Sequence, residues 1–329
     1  MTIASDNPRV AALAAPLSGQ DPDSRAAPRR RRSRLTRNLW GYAYVAPFFV
    51  LFACFSLYPF VYTAWVSLHD TSLSNIDAAQ WVGLSNYQKL LHSDFFWNAA
   101  RNTLTIGIIS TVPQLCMALG LAHLLNYVLR GRTFLRVAML MPYATSIAAA
   151  TLVFAQLFGR DYGLINTGLE AIGFDPVNWE GGRWSSQIAI SVIVTWRWTG
   201  YNALIYLAAM QAIPNDLYEA ATLDGASRWQ QFLHVTIPSL RPTILFTVVV
   251  STIGAVQLFG EPLLFAGNGT TTGGASRQYQ TLGLLMYNQG WTNFHLGQAA
   301  ATAWAMFLII LVLVGSYAVI GRLRARAER

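Results

Sequence analysis

Residues 214–238 read Pro214-Asn215-Asp216-Leu217-Tyr218-Glu219-Ala220-Ala221-Thr222-Leu223-Asp224-Gly225-Ala226-Ser227-Arg228-Trp229-Gln230-Gln231-Phe232-Leu233-His234-Val235-Thr236-Ile237-Pro238. Pro214 closes the apolar run before it, and Asn215 or Asp216 can cap a helix in which Glu219, Ala220 and Ala221 are strong formers. Gly225 permits a sharp break. Ser227 followed three residues later by Gln230 has the spacing of a capping box for a second short helix, which Pro238 stops. The stretch therefore predicts two short helices at an angle. Their apolar residues Leu217, Leu223, Trp229, Phe232 and Leu233 suit docking into a groove on another protein.

The flanks of this stretch are long and uncharged. Of 329 residues, 53% are hydrophobic and 12% charged, against roughly 25% charged in ordinary soluble domains. Charge-free apolar runs mark six candidate spans, at 41–67, 99–125, 137–158, 186–212, 242–263 and 297–320, each long enough to cross the hydrocarbon core as a helix. The expected fold class is an all-α membrane protein with six transmembrane helices over residues 38–322 and two short cytoplasmic helices in the loop at 214–238.

Arginine predicts the orientation. Seventeen cations fall on the side of both termini and of the 214–238 loop, five on the other, and Arg197 lies within a span; the excess places both termini in the cytoplasm. Residues 1–37, rich in Ala, Pro, Ser and Arg, read as a disordered basic cytoplasmic tail, and 323–329 as a short basic one. The outer segments 68–98, 159–185 and 264–296 carry Trp and Tyr that read as interfacial anchors. The last holds Gly267-Asn-Gly-Thr-Thr-Thr-Gly-Gly274, expected to be a flexible exposed loop.

Several chemistries are excluded. Lys89 is the sole lysine, so the chain has no phosphate-binding GxxxxGK[ST] loop and no lysine Schiff base. His69, His92, His123, His234 and His295 are scattered with no metal-ligand spacing. Cys54 and Cys116 both fall in apolar runs and read as packing residues. No catalytic residues and no metal site are expected, no cofactor on this chain, and no nucleic-acid partner.

Arg197 is the one charge deep in a span, a position that costs about 2.5 to 3.5 kcal/mol when isolated. Helical spacing groups it with Val194, Trp198 and Tyr201, with Asn202 adjacent. Aromatic faces and hydrogen-bonding groups together are what a sugar ring requires. A second reading pairs Arg197 with an acid on a neighbouring span, such as Glu261, amid ordinary aromatic packing. In the fifth span Gly254, Gln257, Leu258 and Glu261 share a face, and Tyr143 and Ser146 follow Pro142 in the third. Candidate solute-binding residues are thus Tyr143, Arg197, Trp198, Tyr201, Asn202, Gln257 and Glu261.

The 214–238 stretch resembles the hallmark loop of the membrane subunits of binding-protein-dependent ABC importers. That loop has a Glu-Ala-Ala motif, then Gly, then an Ile-x-Leu-Pro-like ending. Glu219-Ala220-Ala221, Asp224-Gly225-Ala226, Phe232 and Ile237-Pro238 match it, with Ile237 where the family often has Leu. The Tyr58-Pro59 pair and Asn102-Thr103 look like the carbohydrate-uptake permeases related to those for maltose and glycerol phosphate. The resemblance implies a type I importer permease fold in a bacterial inner membrane. It also implies a second homologous permease, two ATPase subunits that hold ATP and Mg, and an extracytoplasmic sugar-binding protein; the cavity aromatics favour a di- or oligosaccharide as the solute over a small ion, with monosaccharides and glycerol phosphate diesters left open and Arg197 suited even to a phosphate. Glu219, Ala220, Ala221, Asp224, Gly225, Phe232, Ile237 and Pro238 would couple to the ATPase, Glu219 by a charged contact and Gly225 by its turn. The competing readings are an ion-coupled secondary transporter, which would place acids deep in its spans, and a membrane docking subunit that transports nothing.

Overall fold

Ala99, Thr103, Ser110, Gln114, Ala118 and Ala122 recur at intervals of four and seven along one helical stretch, and all are buried. Small and polar residues on one face let two helix backbones approach closely where lipid supplies no hydrophobic drive between helices. The computed structural model describes residues 42, 44–72, 75–127, 131–265 and 270–327. In it, this stretch is helix α3, Asp94–Asn126, and its small face packs along α7, Arg183–Gln211. The tail at 1–37 and residues 266–269 lie outside the described residues.

The chain divides into two compact units, Met1–Pro59 and Phe60–Arg329, of which the second carries both candidate sites. Helix α1 runs Tyr44–Ser67. A hairpin of β1, His69–Ser72, and β2, Asn75–Trp81, follows, then α2, Ser85–Leu91. After α3 come α4, Arg132–Ala144, α5, Ile147–Leu157, and α6, Leu164–Ala171. Beyond α7 lie α8, Asn215–Leu223, and a second short helix, α9, which opens at Arg228–Gln231 and continues through a wider π turn at Phe232–Thr236 to Ile237–Ser239. Helix α10 is Arg241–Val256, α11 Gly260–Leu264, α12 Leu282–Tyr287 and α13 Leu296–Ala327.

Among the described residues four helices are long and apolar enough to cross a membrane: Tyr44–Ser67, Asp94–Asn126, Arg241–Leu264 and Leu296–Tyr317; the pair α4 and α5, bent by 90°, makes up to five. The expected third span, 137–158, is therefore not one straight helix. Pro142 sits in the last turn of α4, Thr145 leaves the helix at φ −70 and ψ 140, and Ser146 opens α5. The expected fourth, at 186–212, is the 29-residue α7, which falls outside the apolar set. Its polar side chains Ser186, Gln187, Ser191, Arg197, Thr199 and Asn202 are all buried, and a helix sheathed by other helices has no need of an apolar circumference.

The fifth expected span is broken at Gln257–Phe259, between α10 and α11. The carbonyl of Leu258, freed by the break, accepts the Thr281 hydroxyl at 2.6 Å. This satisfies a backbone group that no water would reach in a bilayer. The sixth runs past 320 to Ala327.

Two further expectations are corrected. The fold is mostly helical but not all-α, because His69 pairs with Trp81 and Asp70 with Gln80 in an antiparallel hairpin. Cys54 and Cys116 are free and exposed rather than packed; both occupy outward helix faces, where lipid can cover an apolar side chain as a protein core would.

Candidate functional site

The coupling stretch is built by local chemistry. At the end of α8 the Ala226 N–H donates to the Ala221 carbonyl at 2.9 Å and the Gly225 N–H to that of Thr222 at 3.0 Å, a Schellman closure. Gly225 takes φ +78, and a Cβ there would meet nothing within 4 Å, so the turn is open on its outer side. The Gln230 N–H donates to Ser227 Oγ at 3.4 Å and the Ser227 N–H to Gln230 Oε1 at 2.7 Å, forming the capping box that the spacing predicts. Gln231 Nε2 ties the two helices by donating to Thr222 Oγ1 at 3.0 Å and to the Ala226 carbonyl at 3.1 Å.

Two local expectations differ. Pro214, not Asn215 or Asp216, is the residue before the first turn, and no side chain caps α8. Pro238 does not end the second helix, which runs to Ser239. The π turn upstream widens the backbone and relieves the clash a proline ring makes with the carbonyl four residues before it.

The structure sorts the proposed coupling residues by exposure. Glu219, Ala220, Asp224 and Gly225 are exposed, and Ala221, Ile237 and Pro238 half-buried. Leu223 is 89% exposed and Trp229 62%, while Phe232 is 6%. Phe232 therefore offers no side chain to a partner. It packs with Ala118, Ala122, Leu207 and Met210, stacks on Trp229 with ring centroids 5.4 Å apart, and anchors the loop to the ends of α3 and α7.

At the other candidate site, Tyr143 from α4 stacks on Tyr201 at 4.6 Å, and Trp198 stands edge-on to both, at 5.2 Å from Tyr143 and 5.8 Å from Tyr201. Gly200 makes this approach possible, since a Cβ there would lie 1.8 Å from the Met139 carbonyl oxygen. Sequence spacing alone carries no sign of that contact. Trp198 and Gly254 line a small cavity of about 30 Å³ with Gln114 and Ser251.

Arg197 takes the second of its two readings. Its Nη1 donates to Glu261 Oε1 at 2.8 Å, with the two side chains 8% and 5% exposed. Among the described residues, Arg197 Nε and Asn202 Nδ2 are buried without a hydrogen-bond partner. Gln257 is exposed beside the break in the fifth span. The structure thus gathers Tyr143, Trp198 and Tyr201 in one cluster and ties Arg197 to Glu261.

Of the Gly267–Gly274 run, expected to be a flexible exposed loop, 267–269 lie outside the described residues, Thr270 is exposed, and Gly273 and Gly274 are buried; the residues that follow it are packed. Gln278, Tyr279, Gln280 and Thr281 are each 5% exposed or less. Asn102 Nδ2 donates to the carbonyls of Arg277 and Gln280, at 3.0 and 3.1 Å. Gln187 Nε2 donates to Asn102 Oδ1 and to the Gln278 carbonyl, both at 2.9 Å. Side-chain amides from α3 and α7 thus pair the backbone of this segment, a job glycine itself cannot do. Tyr279 is a core residue rather than an interfacial anchor; burial, then the nearby Glu180 carboxylate, pushes its hydroxyl up to about 12.

Comparison with known proteins agrees with this geometry. The chain is 35% identical to the lactose transport system permease protein LacF of Rhizobium radiobacter over 288 residues, covering 86% of this chain and 94% of that protein. It is 32% identical to the trehalose/maltose transport system permease protein MalF of Thermococcus litoralis, covering 86% and 94%. It is also 32% identical to the sn-glycerol-3-phosphate transport system permease protein UgpA of Escherichia coli, covering 84% and 92%. Among solved structures, a chain of a bacterial ABC transporter involved in import of the acidic polysaccharide alginate shares the fold, with a TM-score of 0.74 at 23% identity over 88% of this chain and 98% of that one. Residues 108–326 match the family described as the inner membrane component of binding-protein-dependent transport systems, and this chain belongs to that family of ABC importer permeases.

Proposed function

We propose that this chain forms half of the translocation pathway for a sugar, with a di- or oligosaccharide the favoured solute, beside a second homologous permease. It crosses the inner membrane six times, α4 with α5 counting as one broken span and α7 as the fourth, with both termini in the cytoplasm. An extracytoplasmic sugar-binding protein delivers the solute, and two ATPase subunits, which hold ATP and Mg, seat the 214–238 loop in surface grooves. Glu219 and Asp224 meet the ATPase as charges, Ala220, Ala221 and Gly225 let it approach, and Ile237 and Pro238 set the exit of the chain. Phe232 transmits the movement inward rather than touching the partner.

The observation that carries this reading is the shape of the loop. It presents Glu219, Leu223, Gly225 and Trp229 outward while Phe232 roots it among the ends of α3 and α7. A lever needs both an exposed grip and a buried root. Closure of an ATPase dimer would pull the loop and rock the helices as rigid bodies. On the same reading the Tyr143, Trp198 and Tyr201 rings supply flat faces for a sugar, and Asn202, Gln257 and the Arg197–Glu261 pair supply polar groups beside them.

The test is sugar-stimulated ATPase activity of the complex co-expressed with its partner permease, ATPase and binding protein. Stimulation by one sugar, lost in Gly225→Arg while membrane insertion is unchanged, supports the reading. Full stimulation in Gly225→Arg removes the coupling role of the loop.

A further inference from the structure

Where the coupling stretch meets the bundle, the ends of α3, α4 and α7 leave a cavity of about 440 Å³ roofed by α8 and α9. That volume lies in the range of small-molecule sites. His123, Arg132 and Arg228 all line it, and among the described residues no carboxylate does. Asp216 is on the first turn of α8 but is not among the lining residues. Arg228 lies over the Tyr127 ring at 5.2 Å, and Tyr127 in turn hydrogen-bonds His123 at 3.2 Å, so an aromatic and a histidine position the guanidinium without neutralising it.

Backbone charge points the same way. Arg132 and Asn215, both lining residues, are the first residues of α4 and α8, and neither helix has a side-chain cap. Their first-turn N–H groups lack intrahelical acceptors and carry the positive ends of two helix dipoles. One turn further along α4, outside the cavity lining, Arg136 keeps Nε and Nη2 buried with no hydrogen-bond partner among the described residues. Positive groups from three elements, α4, α8 and α9, thus converge on one space with no carboxylate lining it among the described residues.

We propose that this cavity binds a phosphate-bearing group, held by Arg132 and Arg228 in the bidentate geometry that guanidinium offers phosphate, with Asn126 and Gln211 as neutral donors. Bound there, the group ties α3, α4 and α7 to the coupling helices and stiffens the root of the lever. Two sources share this chemistry, an anionic phospholipid headgroup of the adjoining leaflet and a soluble phosphate. Placing that leaflet on the cytoplasmic side rests on the proposed orientation, whereas binding itself requires neither transport nor an ATPase.

The test is native mass spectrometry of the full chain in detergent, offered phosphatidylcholine, phosphatidylglycerol or inorganic phosphate in turn. Arg132 and Arg228 are exposed, so Arg132→Gln and Arg228→Gln keep the fold, which helical circular dichroism verifies. Each is expected to weaken the phosphatidylglycerol adduct about tenfold, while Arg241→Gln, which removes a cation outside the cavity, leaves it unchanged. An inorganic phosphate adduct with the same dependence assigns the site to the soluble source. Equal losses in all three variants would reduce the effect to general attraction between a basic surface and an anionic lipid and overturn the proposal, as would the absence of any phosphate-bearing adduct. Absence of sugar-stimulated ATPase activity in the unaltered complex, with the adduct retained, would instead count against the importer reading alone.

Discussion

Arg197 and Glu261 show how one ion pair constrains both stability and function. Buried charges are tolerated here because each supplies the other's partner, and removing one leaves the other uncompensated at a cost of about 3–5 kcal/mol. We expect Arg197→Leu and Glu261→Leu each to lower the unfolding temperature in detergent sharply, and the double variant to recover most of that loss. A double variant as unstable as the worse single one would show that the pair does more than balance charge. Solute affinity lost in a double variant that has regained stability would give the pair a binding role as well. Tyr279 makes a prediction about pH. Its hydroxyl is pushed up to about 12 from an ordinary value of about 10, so the folded state favours the protonated form. The stability this contributes is complete below about pH 10 and is lost as pH rises through about 12. The unfolding temperature should fall over that window, and Tyr279→Phe should reduce the fall. The charge of Arg197 and its possible partner were legible in the sequence, because a lone cation in an apolar run must be neutralised somewhere. The burial of Tyr279 was not, because an outer-segment tyrosine looks the same in sequence whether it anchors at the interface or fills a core.

Among elements, the contact between α4 and α7 is the most sensitive to a single atom. Gly200 lies against the Met139 carbonyl at a distance that no Cβ permits, so Gly200→Ala must push the helices apart. The expected cost is about 1–3 kcal/mol, as for other overpacked sites, and separation should also loosen the Tyr143–Tyr201 stack. A lower unfolding temperature together with altered tyrosine fluorescence would register both effects; an unchanged temperature would mean that α4 moves freely over α7. The coupling helices were legible at this scale because their signals are local. A Schellman glycine and a capping box act within a few residues, and their partners are written beside them. The bend between α4 and α5 was signalled by Pro142 but its size was not, since 90° reflects what α4 and α5 each pack against. The hairpin at His69–Trp81 was not legible, for strand pairing here depends on the neighbouring helices that support it.

For the whole molecule, the arginine asymmetry makes a topological prediction that no single contact carries. Reporters active only in the cytoplasm should work at both termini and within 214–238, and fail in 264–296. Activity at one terminus alone would mean an odd number of crossings and would remove α7 or the α4–α5 pair from the membrane. The sequence by itself determined that this is a membrane protein, where its apolar runs lie, and that a motif-bearing loop of two capped helices interrupts them. Hydropathy, charge asymmetry and helix caps are properties of short segments and need no partner to be read. The tertiary structure decided that the most polar of the long helices, α7, packs against α3, α4 and α10, that Phe232 is buried at the root of the 214–238 loop, and that amides of Asn102 and Gln187 hold the backbone at 277–280 in place. It also gathered His123, Arg132 and Arg228, which are over a hundred positions apart at their extremes, around one cavity. Each of these outcomes depends on which face of one helix meets another, and a buried polar side chain in lipid is stable only once its partner from a distant segment has arrived.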